Sequence, residues 1–549
     1  MKKFFALFLL AIILVCSSCV QSPEKVRPVK NVIVMISDGT STGVISAARW
    51  YKMYNNMGNN LHLDPYLCGT VSTFCSNAPI GDSAPTTSCY MTGVPSRSGN
   101  VAIYPVADPV NDLVPLDPAM AYHPLATLLE AARILQGKST GLVVTCEFPH
   151  ATPADCSSHY YDRGNYKYIA SQMAYNNLDV LFGGGNDIIT DDMKAHFKNT
   201  GTTLIQDDVT AFRNFQGDGN LWALFEKMDL PYDLDRDPAI TPSLEEMTRK
   251  AIERLSKNKK GFFLMVEGSK VDWAAHANDA VGCITEFIAF DNALGAALEF
   301  ARKNGETAIV VLSDHGNSGF TIGRTGRGGS TSSLKDLFGT VSQYKKTASG
   351  IAEILNETPP DQIKAVFAKY TDIELTDDEL QNIVQSRDYK MRDDARPGNR
   401  QTLSVNANQI MNLRTCFGFT SGSHTGEEVF LAAYHPKGDR PAGFITNIQV
   451  SEYLYQAMGL TTPLPDLSGK LFAKHTEALT DLDYKLDTTG DFPTLSVTKD
   501  NNTLSVRAFS SVAHLNGKPV DLGSVTVYID KNNTFYLPAD ILKKTGLTN

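Results

Sequence analysis

The sequence predicts an α/β protein with a mostly parallel central sheet, helices on both faces, an inserted lid region and a small C-terminal β appendage. Apolar runs of five to seven residues alternate with stretches of helical periodicity, a pattern typical of parallel sheets. Residues 326–413 interrupt this alternation. From residue 491 onwards, apolar and polar residues alternate with a period of two, which indicates antiparallel strands.

The predicted strands are continuous apolar runs, which indicates burial on both faces of the sheet. They cover residues 31–37, 141–145, 261–266, 307–312 and 428–434. Helical periodicity predicts helices over residues 124–136, 243–258 and 284–303. Gly137 is a stop signal for the first helix, and Ser243 with Glu246 fits a capping box at the start of the second. In such a fold, ligands bind at the carboxyl ends of the strands.

The insertion and the appendage set the domain boundaries. Residues 31–490 form the main domain, and residues 326–413 within it are predicted to be a partly helical lid beside the site. Helical character over residues 361–370 and a capping box of Thr376 and Glu379 support this interpretation. The appendage, residues 491–549, places Asp-Asn-Asn and Lys-Asn-Asn turns between its predicted strands.

The N-terminus is a targeting segment. Lys2 and Lys3 precede an apolar run over residues 4–15, which is too short to span a bilayer. Small residues before Cys19 indicate a lipoprotein-type signal peptide over residues 1–19, with a lipid on Cys19 and a tether over residues 20–30. A plain secretory signal is the alternative. Both predict export, and the first predicts a periplasmic or cell-envelope lipoprotein. No later stretch is expected to be apolar and long enough for a transmembrane helix.

Composition excludes some partners and leaves the cysteines open. The 549 residues carry a net charge of −10 without basic runs, which argues against nucleic acid as a partner. An anionic substrate therefore needs local positive charge, such as bound metal.

Beyond Cys16 and Cys19 the chain has seven cysteines, an odd number. The local pairs to test are Cys68 with Cys75 and Cys146 with Cys156.

The candidate nucleophile is Ser83, which directly follows Asp82 in the stretch GDSAPTTSCYMTG. A serine hydroxyl needs a base or a metal for activation, and no G-x-S-x-G elbow surrounds this one. Acids and histidines do occur in clusters with ligand-like spacing, and three of the acids follow predicted strands. The clusters comprise Asp38, Glu267, Asp272 with His276, Asp314 with His315, and His424. A serine served by such clusters predicts metal-activated phosphoryl transfer.

These motifs together resemble the alkaline phosphatase family from about residue 32 to residue 435. Asp82-Ser83-Ala84 matches the family's nucleophile signature, and with five further motifs it makes six in family order along the chain. The five others are VMISDGTS, HATPADCSSHYYDR, VEGSKVDWAAH, SDHGNSGFTIG and SGSHTGEE. The resemblance implies an alkaline-phosphatase-like fold, with residues 31–490 as the catalytic domain. It also implies hydrolysis of phosphate monoesters through a phosphoserine intermediate, with two zinc ions and one magnesium ion, and it allows a homodimer.

The resemblance implies a role for each matched residue. Ser83 becomes the phosphoserine, and Arg163 binds the phosphate. The ligands divide into three sets: Asp272, His276 and His424 for one zinc; Asp38, Asp314 and His315, with Ser83, for the other; and Asp38, Thr152 and Glu267 for magnesium. Asp82, His150 and Trp273 are auxiliary positions. His150 and Trp273 vary within the family, so they leave the identity of the third metal open, and Gly316 replaces an acid that often follows the Asp-His pair.

Two other functions are alternatives. A phosphodiesterase of the same superfamily would share the fold, although Arg163 favours a monoester because it suits two free phosphate oxygens. A secreted metal- or phosphate-binding protein would need no turnover, and the intact Ser83 argues against it. A sulfatase needs the motif C/S-x-P-x-R. Pro95 and Arg97 fit this motif, but Gly93 occupies its nucleophile position, which excludes a sulfatase.

Overall fold

A computed structural model gives the fold, and it describes residues 25–387, 402–480 and 482–547. The predicted signal peptide, the lipid site at Cys19 and the first residues of the tether lie outside these ranges. Ten strands form one large sheet, in the order β14-β2-β13-β8-β1-β7-β3-β4-β6-β5. They are β1 Asn31–Ser37, β2 Leu67–Ser72, β3 Ser139–Glu147, β4 Val180–Gly184, β5 Thr203–Gln206, β6 Leu221–Leu224, β7 Phe262–Gly268, β8 Thr307–Leu312, β13 Val429–Tyr434 and β14 Gly443–Thr446.

Smaller sheets contain the remaining strands. Near the site lie β9 Gly316–Asn317, β10 Thr321–Ile322, β11 Phe417–Gly418 and β12 His424–Thr425. Towards the C-terminus follow β15 Ala473–Lys474, β16 Asp483–Asp487, β17 Thr494–Lys499, β18 Asn502–Arg507, β19 Val512–Leu515, β20 Lys518–Asp521, β21 Val527–Ile529 and β22 Thr534–Leu537.

The helices that cover the large sheet alternate with its strands. They are α1 Thr42–Tyr54, α2 Ser83–Thr92, α3 Leu128–Gln136, α4 Ala151–Ser157, α5 Tyr166–Tyr175, α6 Asp191–Thr200, α7 Val209–Asn214, α8 Leu244–Leu255, α9 Lys270–His276 and α10 Ala280–Asn304. The later helices are α11 Leu334–Phe338, α12 Ala348–Glu357, α13 Ile363–Thr371, α14 Asp377–Arg387, α15 Leu403–Asn412, α16 Asn447–Ala457, α17 Leu464–Leu471, α18 His475–Ala478 and α19 Ile541–Thr545.

The predicted mostly parallel sheet is confirmed. β1 pairs in parallel with β7 and β8, while β13 runs antiparallel to β8 and β2. Alternate residues of β1 point into two hydrophobic cores, one on each face of the sheet: Val32 and Val34 on one face, Ile33 and Met35 on the other. Burial on both faces explains why the strands read as unbroken apolar runs.

Capping explains where the predicted and observed helix bounds differ. Thr127 and Glu130 form a capping box, so the helix predicted from residue 124 begins at Leu128. The Asp279 side chain accepts the backbone N–H of Gly282, which starts α10 four residues before the predicted residue 284. Contrary to the sequence expectation, α10 is long and apolar enough to cross a membrane, but 83% of its most apolar window is buried in the protein. It is a core helix.

The insertion adds helices α11–α15 beside the carboxyl edge of the large sheet. Its apolar residues join the core on one face of the sheet, and α15 contacts the end of α9 through Asn408 and Asn412, whose side chains donate to the carbonyls of Ala277 and Asn278. The Thr376–Glu379 capping box forms as predicted.

The C-terminal region begins earlier than predicted and is not a separate body. Its five-stranded sheet starts at Asp483 rather than at residue 491, and β15 pairs with β22 in a second, three-stranded sheet. We call residues 473–547 the C-terminal module. Its apolar residues, including Leu495 and Phe509, belong to the same core as β1, α3 and α5. Because the module buries its apolar side chains in this shared core, it is part of the same fold as the main domain.

The suggested disulfide pairs are wrong. Among the described residues, all seven cysteines are free thiols, and six of them are buried. Cys146 contacts Glu267 and Cys156 donates to the carbonyl of Thr152, so the two thiols serve different neighbours.

Candidate active site

Three carboxylates meet at the carboxyl end of neighbouring strands. Asp38 directly follows β1, Glu267 is the second-last residue of β7, and Asp314 comes two residues after β8. The register brings them together, because Ile36 pairs with Glu267 on one side and with Leu312 on the other. All three acids are fully buried. Burying so much negative charge is costly without cations to balance it.

Ser83 lies against this cluster as the first residue of α2. Its side chain is buried, and its Oγ is 3.5 Å from Asp38 Oδ1 and 3.3 Å from His315 Nε2. The N-terminus of a helix favours negative charge, so α2 supports an ionised serine or a phosphate at this position. The structure therefore places the predicted nucleophile among the predicted ligands.

The three predicted histidine ligands share one orientation. In each, Nδ1 faces a backbone carbonyl, which fixes the ring and leaves the Nε2 lone pair directed at the carboxylates. The carbonyls belong to Gly422 for His276 at 2.9 Å, Gly316 for His315 at 3.1 Å, and Gly81 for His424 at 3.0 Å. Histidines that bind metal in proteins are held in this way.

The Nε2 atoms and carboxylates divide into two adjacent clusters. In the first, His276 Nε2 lies 3.3 Å from Asp272 Oδ2 and 3.1 Å from His424 Nε2. In the second, His315 Nε2 lies 3.4 Å from Asp38 Oδ1, and the ligand atoms of Asp38, Asp314 and His315 all lie within 4.8 Å of one another. The rings of His315 and His424 stack with centroids 3.7 Å apart, so the clusters are neighbours.

The charges in the clusters shift the pKa values of the acids in opposite directions. Burial and the neighbouring Asp314 raise the pKa of Asp38 well above its ordinary value. Burial also acts to raise the pKa of Asp272, but the adjacent histidines, His276 foremost, outweigh it and hold that pKa below its ordinary value. The cluster around Asp38 therefore carries carboxylates that repel one another, whereas the carboxylate of Asp272 is stabilised by the histidines beside it.

The predicted ligands of a third cluster, Asp38, Thr152 and Glu267, offer only oxygen atoms to a cation. Burial raises the pKa of Glu267 to about 8, opposed in part by the hydroxyl of Ser269. Asp38 Oδ2, Thr152 Oγ1 and Glu267 Oε1 are buried and have no hydrogen-bond partner among the described residues. Buried polar atoms are rarely left unpaired, and these three form a set suited to a hard cation.

Arg163 reaches the site from the loop between α4 and α5. Its Nη1 donates to Asp82 Oδ1 at 2.6 Å, and its Nη2 lies 3.1 Å from His150 Nε2. Burial and the adjacent guanidinium lower the pKa of His150 to about 3, so the imidazole is neutral and accepts from Arg163. Trp273 lies edge-on to His150, with ring centroids 5.8 Å apart. The structure thus brings together every residue predicted for the site.

Sequence reasoning missed two neighbours of the ligands. The Cys146 thiol donates to Glu267 Oε2 at 3.5 Å, and Asn317 Nδ2 donates to Asp272 Oδ1 at 2.7 Å. Cys146 lies near the carboxyl end of β3, the same position by which the acids were found, so strand-end position was the available signal. Asn317 gave no comparable signal, because its contact depends on the pairing of β9 with β12.

The space near Gly316 is occupied from elsewhere in the chain. A side chain at this position would overlap the carboxylate of Glu427, whose Oε1 accepts a 2.5 Å hydrogen bond from Ser41 Oγ. Ser41 Oγ in turn accepts the backbone N–H of Asn317 at 3.3 Å. An acid is therefore present beside the Asp314-His315 pair, although it comes from a residue more than a hundred positions later.

A groove of about 890 Å³ opens beside His276. The insertion forms one wall through α15, and β11 with the residues that follow it forms another. Its lining mixes amides with aromatic rings, including Asn408, Gln409, Phe417 and Phe419. The groove therefore leaves open space beside the cluster that contains His276.

Comparison with known proteins agrees with this geometry. The family model described as alkaline phosphatase matches residues 29–460. Alkaline phosphatase 4 of Bacillus subtilis is 34% identical over 445 residues, covering 78% of this chain and 89% of that protein. Alkaline phosphatase 3 of the same organism is 32% identical, covering 80% and 91%.

Solved structures agree as well. Thermus thermophilus alkaline phosphatase aligns with a TM-score of 0.70 and 25% identity, covering 80% of this chain and 93% of that one. A cold-active enzyme from Shewanella gives 0.66 and 25%, covering 78% and 99%. The chain belongs to the alkaline phosphatase family. The expected fold and the expected enzyme class, a phosphoric monoester hydrolase, are confirmed.

Proposed function

We propose that the protein hydrolyses phosphate monoesters through a phosphoserine at Ser83, with two zinc ions and one magnesium ion. The observation that carries this proposal is the convergence of Ser83, Arg163, four carboxylates and three oriented histidines at one edge of the sheet. The family membership supports the reaction class, and the ligand chemistry supports the metals.

The residues present fit three cations. Asp272, His276 and His424 would hold one zinc, and Asp38, Asp314 and His315 would hold the other beside Ser83, because imidazole and carboxylate suit zinc. Asp38, Thr152 and Glu267 would hold magnesium, and the unpartnered oxygens of this set support that assignment. When bound, the ions would neutralise charge on the attacking and leaving oxygens.

The neighbours of the third cluster bear on its metal. His150 and Trp273 flank it. A variant of the alkaline phosphatase from the Antarctic bacterium TAB5, in which aspartate replaces a histidine, has been solved with magnesium bound in its M3 site. That likeness shows the fold alone, so the magnesium assignment here rests on the oxygen-only donor set.

Each side chain has a separate task in the reaction. Ser83 Oγ attacks phosphorus, the ester bond to the alcohol breaks, and water later releases phosphate from the serine. Arg163 has five N–H donors, of which contacts with Asp82 and His150 engage one on each terminal nitrogen. The remaining donors would form a fork for two phosphate oxygens. A monoester offers three non-bridging oxygens and a diester only two, so Arg163 favours the monoester.

Covalent labelling tests the nucleophile. Incubation with radioactive phosphate at acid pH should label the protein and leave Ser83→Ala unlabelled. Ser88→Ala is the matched control, since Ser88 is buried in the same helix and hydrogen-bonds Ala102 rather than the clusters. Full labelling of Ser83→Ala would show that another residue is the nucleophile.

Metal analysis tests the cations separately. The purified protein should hold zinc and magnesium in a ratio of about two to one, and Glu267→Gln should lose magnesium while it retains zinc. Loss of both metals together, or calcium or iron in their place, would overturn the assignment.

We also propose export as a lipoprotein anchored at Cys19, supported by Lys2, Lys3 and the apolar run that follows them.

A further inference from the structure

The C-terminal module contacts the catalytic domain at the segment that carries Arg163. We call residues 158–165, between α4 and α5, the arginine segment. On its inner side, Tyr160 exchanges two backbone hydrogen bonds with Val101, and the Arg163 N–H donates to the carbonyl of Gly99 at 2.7 Å. These bonds fix the backbone of the segment against the loop that follows α2.

The outer side of the segment is covered by the module. The Tyr161 hydroxyl donates to Asp530 Oδ1 at 2.7 Å, and Lys531 Nζ lies 5.2 Å from the centre of the same ring. The Tyr160 ring lies 5.7 Å from that of Phe509. Two consecutive tyrosines, two and three positions before Arg163, are therefore held by side chains of the module.

The helix that follows the segment is held by the same module residue. Tyr168 of α5 stacks on Phe509 with centroids 4.3 Å apart, and Ser171 Oγ donates to the Phe509 carbonyl at 2.8 Å. Phe509 is fully buried and has a φ of 60°, a left-handed conformation that is costly for a bulky residue. Surrounding packing must hold it there, and the contacts with Tyr160, Tyr168 and Ser171 provide that packing.

We propose that the C-terminal module is a positioning element for the phosphate-binding Arg163, acting through Phe509 on α5 and through Asp530 on Tyr161. The inference rests on the proposed role of Arg163. The module lies beyond residue 460, where the match to the family ends, so family membership assigns it no task. Its contacts hold the outer side of the arginine segment, whereas Asp82 and His150 contact only the guanidinium itself.

Catalytic geometry is sensitive to small displacements, so loosening the segment has a measurable cost. A misplacement of about 1 Å can lower a rate by about a hundredfold, and a partly loosened arginine should lower kcat/KM by about three- to tenfold. Phosphate binding should weaken by the same factor, because Arg163 contacts the phosphate in both cases. The metal-ligand clusters lie on other elements and should be unaffected.

The experiment compares two variants of the contact with one control. Tyr161→Phe removes the hydroxyl that donates to Asp530 and keeps the ring, and Phe509→Leu removes the stack on Tyr168. The control is Asp540→Asn, which breaks the 3.2 Å ion pair of Asp540 with Lys544, a contact between two residues of the module. The first two should raise the inhibition constant of inorganic phosphate about three- to tenfold with unchanged zinc and magnesium content. The control should not.

A double-mutant cycle with Arg163→Ser decides whether the effect passes through the arginine. If it does, Tyr161→Phe should have no further effect on phosphate inhibition once Arg163 is absent. Fully additive effects, or an equal effect of Asp540→Asn, would overturn the positioning role. An unchanged phosphate inhibition constant in Arg163→Ser alone would instead overturn the proposed role of Arg163, so the two failures are distinguishable.

Discussion

Replacing Arg163 by serine tests the substrate class most directly. The guanidinium contacts Asp82 and His150, and its side chain is 27% exposed, so N–H donors remain for a phosphate. A hydrogen bond to a charged group contributes about 1.5–3 kcal/mol. Its loss should lower kcat/KM for a phosphate monoester by about 10- to 150-fold. For a diester the loss should be much smaller, since the second ester group would meet Arg163.

The assay compares one aryl monoester with the corresponding aryl diester at saturating zinc and magnesium. Arg163→Lys is the matched control, because it keeps the charge and loses the fork, so its activity should fall between wild type and Arg163→Ser. Asp82 retains a 2.6 Å hydrogen bond from Ser98 in either variant, so the melting temperature should change little. Equal losses for monoester and diester would refute the reasoning and leave Arg163 a structural residue.

Four further predictions concern metals, export, packing and pH. Chelation should abolish activity, and zinc with magnesium should restore it, whereas a fully active metal-free preparation would contradict the proposed cofactors. Cys19→Ser should move the protein from the membrane fraction to the soluble one, and a soluble parent would indicate an ordinary secretory signal. Gly184→Ala should destabilise the fold by about 1–3 kcal/mol in urea unfolding, because the added Cβ would overlap the Met228 carbonyl oxygen. The control is Gly438→Ala at an exposed position with a φ of 82° and open space around the added Cβ, and it should cost less. Burial and Asp233 raise the pKa of Glu286 to about 8, so between pH 4.5 and 8 the folded protein binds a proton that the unfolded chain has lost. The free energy of unfolding should therefore fall as pH rises through this range. Glu286→Gln should make this fall smaller without abolishing it, because the pKa of Glu267 is raised as well; an unchanged fall would contradict the role of Glu286.

The sequence predicted the strands that hold the site and the residues at their ends. β1 and β8 have the predicted bounds, and Asp38, Glu267 and Asp314 meet where parallel strands end. This succeeded because each signal is local: an unbroken apolar run followed by an acid. The capping of α3 by Thr127 shows the limit, since apolar periodicity alone extended that helix into residues that lie before its cap.

Contacts between distant parts of the chain were beyond sequence reasoning. Glu427 fills the space beside Gly316, and the module's β15 pairs with a strand some sixty residues later. Cys146 and Cys156 suggested a disulfide by their spacing, yet the thiols face Glu267 and Thr152. Spacing along a chain does not determine which way a side chain points once the strand and helix that carry it have packed.

The order of strands in the large sheet constrains how the chain can fold during synthesis. β1 lies between β7 and β8, so Val32 pairs with Phe263 and with Ala308, residues that leave the ribosome long after it. At about 5–20 residues per second, β1 waits more than ten seconds for either partner. During that time its apolar residues have no sheet to join and depend on chaperones or on transient collapse. Such non-local pairing also predicts slow refolding in vitro.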